Sequence, residues 1–167
     1  MQNNIEVQFK TLLTLEEYEK LIDKFKGNRT DLQTNHYFDT KRFSLKAYDT
    51  SLRVRDRDTL ELTLKRKKGY SIQEITLPID NEVLEEMRQT GEIPEGQIRD
   101  ELTPLIGQQK VFNFLSLSTL RMYLPYRNGA LFIDKSTYLD TIDYELEYLG
   151  KNYNEAKKEF IQMINEL

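Results

Sequence analysis

The 167-residue chain has no cysteine and no tryptophan, and a single histidine. Without cysteine there is no disulfide, thiolate–zinc site or iron–sulfur cluster. No stretch approaches the roughly 20 apolar residues that a membrane-spanning helix needs. The first residues, MQNNIEVQFK, lack the apolar segment of a signal peptide. These features predict a cytoplasmic protein with no membrane partner. Charge of one sign is not in large excess either, since 28 acidic and 24 basic side chains give a net −4. No overall field draws nucleic acid, so any anion must be held by a local arrangement of charge. There is no linker, low-complexity tract or repeat, and the length suits one domain spanning 1–167.

What is present is a series of short strands. Ile5 to Lys10 alternate apolar and polar. Thr14-Leu-Glu-Glu17 reads as a capping box opening a helix whose apolar residues Leu15, Tyr18, Leu21, Ile22 and Phe25 recur at helical spacing, with Gly27 as its stop. Strands are expected near 32–39, 51–57, 59–67 and 71–79. A helix follows from Asp80 to Gln89, ended by Gly91, and a second over part of 95–106, broken around Pro104 and Gly107. Strands return near 111–126, 130–137 and 141–148, with Asn128-Gly129 as a hairpin turn. A last helix runs from about Asn152 with Ala156, Phe160, Ile161 and Ile164 on its apolar face. Hairpin-linked strands without a βαβ series define an antiparallel α+β protein.

The informative feature is how charge is sorted on these strands. Glu6, Gln8 and Lys10 share one face of the first. Arg53, Arg55 and Arg57 line one face of another, and Glu61, Thr63, Lys65 and Lys67 one face of the next. Asp143, Glu145 and Glu147 oppose Ile142, Tyr144, Leu146 and Tyr148. The ordinary reading of such alternation is a solvated sheet face, where like charges repel by only about 1 kcal/mol per pair. In an enclosed interior the repulsion is much larger unless a counter-charge sits among the groups. A polyphosphate would neutralise the basic groups, arginine pairing phosphate oxygens in a fork, and a divalent cation the carboxylates.

These residues also resemble a known family. Ile5-Glu-Val-Gln-Phe-Lys10 is similar to the N-terminal Glu-x-Glu-x-Lys signature of the CYTH superfamily, the triphosphate tunnel metalloenzymes. The resemblance continues in order through Tyr37-Phe-Asp-Thr40, Leu52-Arg-Val-Arg55, Leu62-Thr-Leu-Lys65, Thr119-Leu-Arg121, Asp134 and Glu145-Leu-Glu147. It is nearest to the YjbK-like branch of Gram-positive bacteria. It implies an antiparallel eight-stranded β-barrel, a tunnel with the charged faces inward and helices packed outside. Position by position, it implies that Arg53, Arg55, Lys65 and Arg121 hold a triphosphate, with Lys10 close by and Lys67 lining the same side. Glu6, Asp134, Glu145 and Glu147 would ligate Mg²⁺ or Mn²⁺, and Gln8 stands where the family has its second acid. Its carbonyl can still coordinate a hard cation but brings no charge.

The expected function is metal-dependent hydrolysis of an inorganic or organic triphosphate by a monomer or homodimer. Lys10, Glu145 and Glu147 are the catalytic candidates, a carboxylate orienting the attacking water. Two alternatives are a non-catalytic polyphosphate or nucleotide sensor, with Gln8 marking a degenerate metal site, and an adenylate cyclase. His36, the lone histidine, is expected to be structural. The absence of tryptophan removes the best stacking residue for an organic ring and leans toward inorganic triphosphate.

Overall fold

In a computed structural model, residues 7–69 and 71–167 are described. Eight antiparallel strands and five helices follow one another as β1 (Val7–Leu13), α1 (Leu15–Lys24), β2 (Thr30–Asp39), α2 (Ser44–Ala47), β3 (Thr50–Asp56), β4 (Leu60–Lys68), β5 (Ser71–Ile79), α3 (Asn81–Thr90), α4 (Gln97–Ile106), β6 (Phe112–Tyr126), β7 (Gly129–Tyr138), β8 (Thr141–Gly150) and α5 (Tyr153–Asn165). The strand order is β1-β8-β7-β6-β2-β3-β4-β5. The α+β class and the strand count agree with the sequence. The sheet is not closed, since the order ends at β1 and β5 and no ladder among the described residues joins these two strands.

By contacts the chain divides into two compact units, Met1–Leu32 with Ser118–Leu167, and Gln33–Leu117. In the first, α1 begins where the sequence says it should. The Thr14 hydroxyl accepts from the Glu17 amide at 3.1 Å, and the Thr14 amide donates to the Glu17 carboxylate at 2.9 Å. The other capped helix, α5, starts at Asn152, whose side chain accepts from the Glu155 amide at 3.1 Å. Leu21 of α1 and Ala156, Phe160 and Met163 of α5 are buried with Leu131, Ile133, Leu146 and Tyr148 of the sheet. Burying a leucine or phenylalanine contributes about 1.5–3 kcal/mol, so these helices are held mainly by their apolar faces. Leu15 and Ile161, expected on those faces, are instead exposed; the buried stripes run through Leu21 and Met163. At the β6–β7 hairpin Gly129 is required by close approach, because a Cβ there would lie 2.2 Å from the Leu149 carbonyl oxygen.

The second unit packs α3 and α4 on the leucine face of its sheet. Phe38, Leu52, Val54, Leu62 and Leu64 form a core with Leu84, Met87, Ile98 and Leu102. Asp80 caps α3 by accepting from the Val83 amide at 3.0 Å, and Gly91 ends it at φ +70°, where a Cβ would meet Lys110 Cβ at 2.8 Å. The expected break at Pro104 does not occur, and α4 runs through it to Ile106. Its buried Ile98, Leu102 and Ile106 hold the helix against the core. The four-residue α2 is too short to leave a periodicity in the sequence. It is organised by buried Asp39, whose carboxylate accepts from the amides of Thr40, Leu45 and Lys46 at 2.7, 3.0 and 3.1 Å.

Candidate functional site

The strand registers sort the charged residues onto one side of the sheet within each unit, opposite the apolar core. In the first unit Lys10 pairs with Glu147, Glu147 with Phe132, Glu145 with Asp134, and Asp134 with Arg121. Directly paired residues point the same way, so Gln8, Lys10, Glu145, Glu147, Asp134 and Arg121 share a face. Asp134 and Glu147 are buried despite their charge. Burial of a carboxylate requires partners, and both have them. Arg121 grips Asp134 with two hydrogen bonds, Nε to Oδ1 at 2.8 Å and Nη2 to Oδ2 at 2.7 Å. That contact holds the guanidinium above its ordinary pKa, and the ring of Phe132 lies 4.7 Å beneath it. Glu147 accepts a hydrogen bond from the Gln8 side-chain amide, with Lys10 Nζ at 3.9 Å and Arg121 at 4.0 Å.

This arrangement bears on the metal ligands. Glu6 lies outside the described residues. Among the described residues no three acidic or histidine side chains converge as a metal cage, and Arg121, Gln8 and Lys10 approach the two buried carboxylates. The donor set nonetheless has the chemistry of a hard-cation site. Asp134 and Glu145 are like charges directly opposite in the ladder, an unfavourable pairing that a divalent cation would relieve. The Glu145 side chain makes no hydrogen bond or ion pair among the described residues.

The second unit carries the basic face. Arg53 pairs with Tyr37 and Thr63, Arg55 with Asn35 and Glu61, and Lys65 with Ser51 and Glu74. Arg53 and Arg55 are half-buried, and Lys65 and Lys67 exposed. The Nε atoms of Arg53 and Arg55 and the Oδ1 of Asn35 are buried and have no hydrogen-bond partner among the described residues. Buried donors are nearly always satisfied, and an orphan costs about 1–3 kcal/mol, more when charged. A cleft of about 220 Å³ is lined by Arg55, Arg57, Asp58, Thr59 and Glu61, and one of about 330 Å³ draws on both sides of the sheet, with Ser51, Lys65 and Lys67 beside Lys46, Asp49 and Arg66.

His36 falls on the opposite side of β2, facing α3. Its Nδ1 is 2.7 Å from Ser116 Oγ and 3.3 Å from an Arg88 guanidinium nitrogen. Burial, then the Arg88 charge, lowers its pKa. Sequence reasoning missed the aromatic residues Phe43, Phe112 and Phe114, which alternation alone does not assign to the charged face.

The CYTH-domain description matches residues 4–167, and the chain belongs to the CYTH family. Within it, the YjbK-like branch expected from the motifs is supported: the chain is 30% identical over 177 positions to YjbK of Bacillus subtilis (strain 168), covering 99% of this chain and 88% of that protein. The name of that protein carries a provisional triphosphatase assignment. A Bacillus halodurans crystal structure, provisionally described as an adenylate cyclase, superposes with a TM-score of 0.74 at 29% identity, covering 98% of this chain and 89% of the other. A Hippeastrum protein, provisionally an adenylyl cyclase and described with a dominant triphosphatase activity, shares the fold at a TM-score of 0.73 and 20% identity, over 96% of this chain and 86% of its own.

Proposed function

We propose that the chain is a divalent-cation-dependent triphosphatase acting on a small-molecule triphosphate. The observation that carries this reading is the pair of buried guanidinium Nε atoms on Arg53 and Arg55, which have no hydrogen-bond partner among the described residues. A phosphate chain supplies anionic acceptors to both, and the provisional triphosphatase assignment of its Bacillus subtilis relative points the same way. Arg53, Arg55 and Lys65 bind phosphate oxygens, with Lys67 as an outer contact and Lys10 and Arg121 as further cationic contacts. Asp134, Glu145, Glu147 and the Gln8 carbonyl, with Glu6 from the family signature, would hold Mg²⁺ or Mn²⁺. When bound, that ion neutralises phosphate charge. Glu145 orients a water whose oxygen attacks the terminal phosphorus, Glu147 and Lys10 complete the catalytic set, and the phosphoanhydride bond breaks to release orthophosphate and the shortened phosphate chain. We treat residues 1–167 as one functional domain. We take the working protein to be a cytoplasmic monomer or homodimer without nucleic-acid or membrane partners; among the described residues no helix is long and apolar enough to cross a membrane.

One observation favours a second reading, a sensor that binds triphosphate without turnover. The Gln8 amide donates to buried Glu147, a contact an ionised acid at that position could not make, so this site is adapted to its glutamine. Phosphate release from inorganic triphosphate, ATP and thiamine triphosphate, in Mg²⁺ and in Mn²⁺, separates the two. Turnover abolished by chelation supports the hydrolase; binding without turnover under every condition supports the sensor. Cyclic AMP formed from ATP would instead make the chain a cyclase.

A further inference from the structure

The basic face of the second unit does not end at its arginines. Val111 is buried in the core beneath α3 and α4, and Asn113 accepts from Arg88 of α3. Side chains alternate along a strand, so Phe112 and Phe114 project to the other side, the side of Tyr37 and Arg53. Ring contacts agree: Phe114 is 6.5 Å from Tyr37 and 5.3 Å from Phe43, the latter edge to face. The alternation slips between Asn113 and Ser116, which both reach the α3 side through Arg88 and His36.

Three of these rings are open to solvent. Phe43, Phe112 and Phe114 are 45%, 44% and 46% exposed. Phe43 also sits in the left-handed region at φ +54°, a conformation that costs a bulky residue about 1–3 kcal/mol. The Asp39 carboxylate, bonded to three amides on either side of it, pins the backbone there. Strained backbone, a rigid support and exposed rings together present an aromatic surface that the core does not use. Tyr37 joins it directly to the phosphate-binding face, because Tyr37 and Arg53 are paired across β2 and β3, with Cα atoms on the order of 5 Å apart. The patch is cationic at its margin, where Lys41 Nζ lies 5.4 Å from the Phe112 ring.

We infer that Phe43, Phe114 and Tyr37 form a stacking platform for the flat heteroaromatic ring of an organic triphosphate whose phosphates lie on Arg53 and Arg55. The inference rests on the triphosphate reading and narrows it to ring-bearing substrates, against the lean toward inorganic triphosphate drawn from the missing tryptophan. A ring stacked on aromatic side chains needs no indole, and each such contact contributes on the order of a tenfold change in affinity.

The test compares kcat/KM for ATP and thiamine triphosphate with that for inorganic triphosphate in the wild type, Phe43→Ala and Phe114→Leu, alongside calorimetric binding of the same three compounds. Circular dichroism checks that each variant folds, and Phe114→Leu keeps apolar bulk while removing the flat face. The platform predicts that at least one ring-bearing compound binds more tightly than inorganic triphosphate, and that this preference drops about tenfold in both variants. Comparison of ATP with thiamine triphosphate tells which ring is favoured. A preference that moves less than twofold in both variants, or no preference in the wild type, overturns the inference while leaving hydrolysis of inorganic triphosphate standing. Ring-dependent binding without phosphate release upholds the platform and sinks the hydrolase instead.

Discussion

Arg121 and Asp134 stand directly opposite each other on β6 and β7 and share two hydrogen bonds, so the fork of one side chain closes both oxygens of the other. Asp134 is buried and Arg121 is 43% exposed in its side chain. The pair sits on the charged face, beside Glu145 and Glu147.

Removing the guanidinium leaves that carboxylate buried without its main partner. Arg121→Met is expected to lower stability by about 1–3 kcal/mol, the cost of an unsatisfied buried group, and to be partly rescued by Asp134→Asn in the double variant. Urea unfolding of the four proteins measures the coupling. Additive effects would mean the two side chains do not depend on each other.

His36 gives a pH dependence with a definite sign. Arginine only donates, so Arg88 requires an unprotonated Nδ1, and burial with the Arg88 charge lowers the folded-state pKa below the ordinary 6.5, against a smaller opposing effect of Asp56. The unfolded chain therefore takes up the proton first as pH falls. Stability from this residue is present above pH 6.5 and declines below it. The urea midpoint should fall more between pH 8 and pH 5.5 in the wild type than in His36→Gln. Parallel declines would remove His36 as the cause.

Gln8 can be questioned by restoring the acid. In Gln8→Glu the donor to Glu147 is lost and a like charge is added, so the variant should melt lower than wild type in EDTA. Mn²⁺ should raise its melting temperature by more than it raises the wild type's, through preferential binding to the folded state. Equal responses to Mn²⁺ would place position 8 away from any cation.

Much of this was legible in the sequence, and the exceptions have physical reasons. The capping box at Thr14 and Glu17 and the helix starts near Asp80 and Asn152 are local chemistry, and they stand where their residues predict; the hairpin expected at Asn128-Gly129 turns one residue earlier, on Arg127 and Asn128, with Gly129 already in β7. The charge sorting on β3, β4 and β8 follows from period-two alternation. Long-range partners were not legible. Nothing local tells that Arg121 pairs with Asp134 of the next strand, or that the Gln8 amide donates to Glu147, 139 positions away. The aromatic patch was hidden because the alternation of β6 slips between Asn113 and Ser116, which reverses the face that a simple reading assigns to Phe114. Pro104 read as a break, whereas burial of its neighbours in α4 outweighs the lost hydrogen bond.

The central claim is that Arg53 and Arg55, whose buried Nε atoms have no hydrogen-bond partner among the described residues, form a binding site for phosphate. Isothermal titration of triphosphate with Mn²⁺ into wild type and the Arg53→Ala/Arg55→Ala variant tests it most directly. The account predicts binding to the wild type and at least a hundredfold loss in the variant, on the order of 3 kcal/mol, with thermal stability of the free protein unchanged or higher because two unsatisfied buried donors are gone. Affinities within threefold of each other would contradict it.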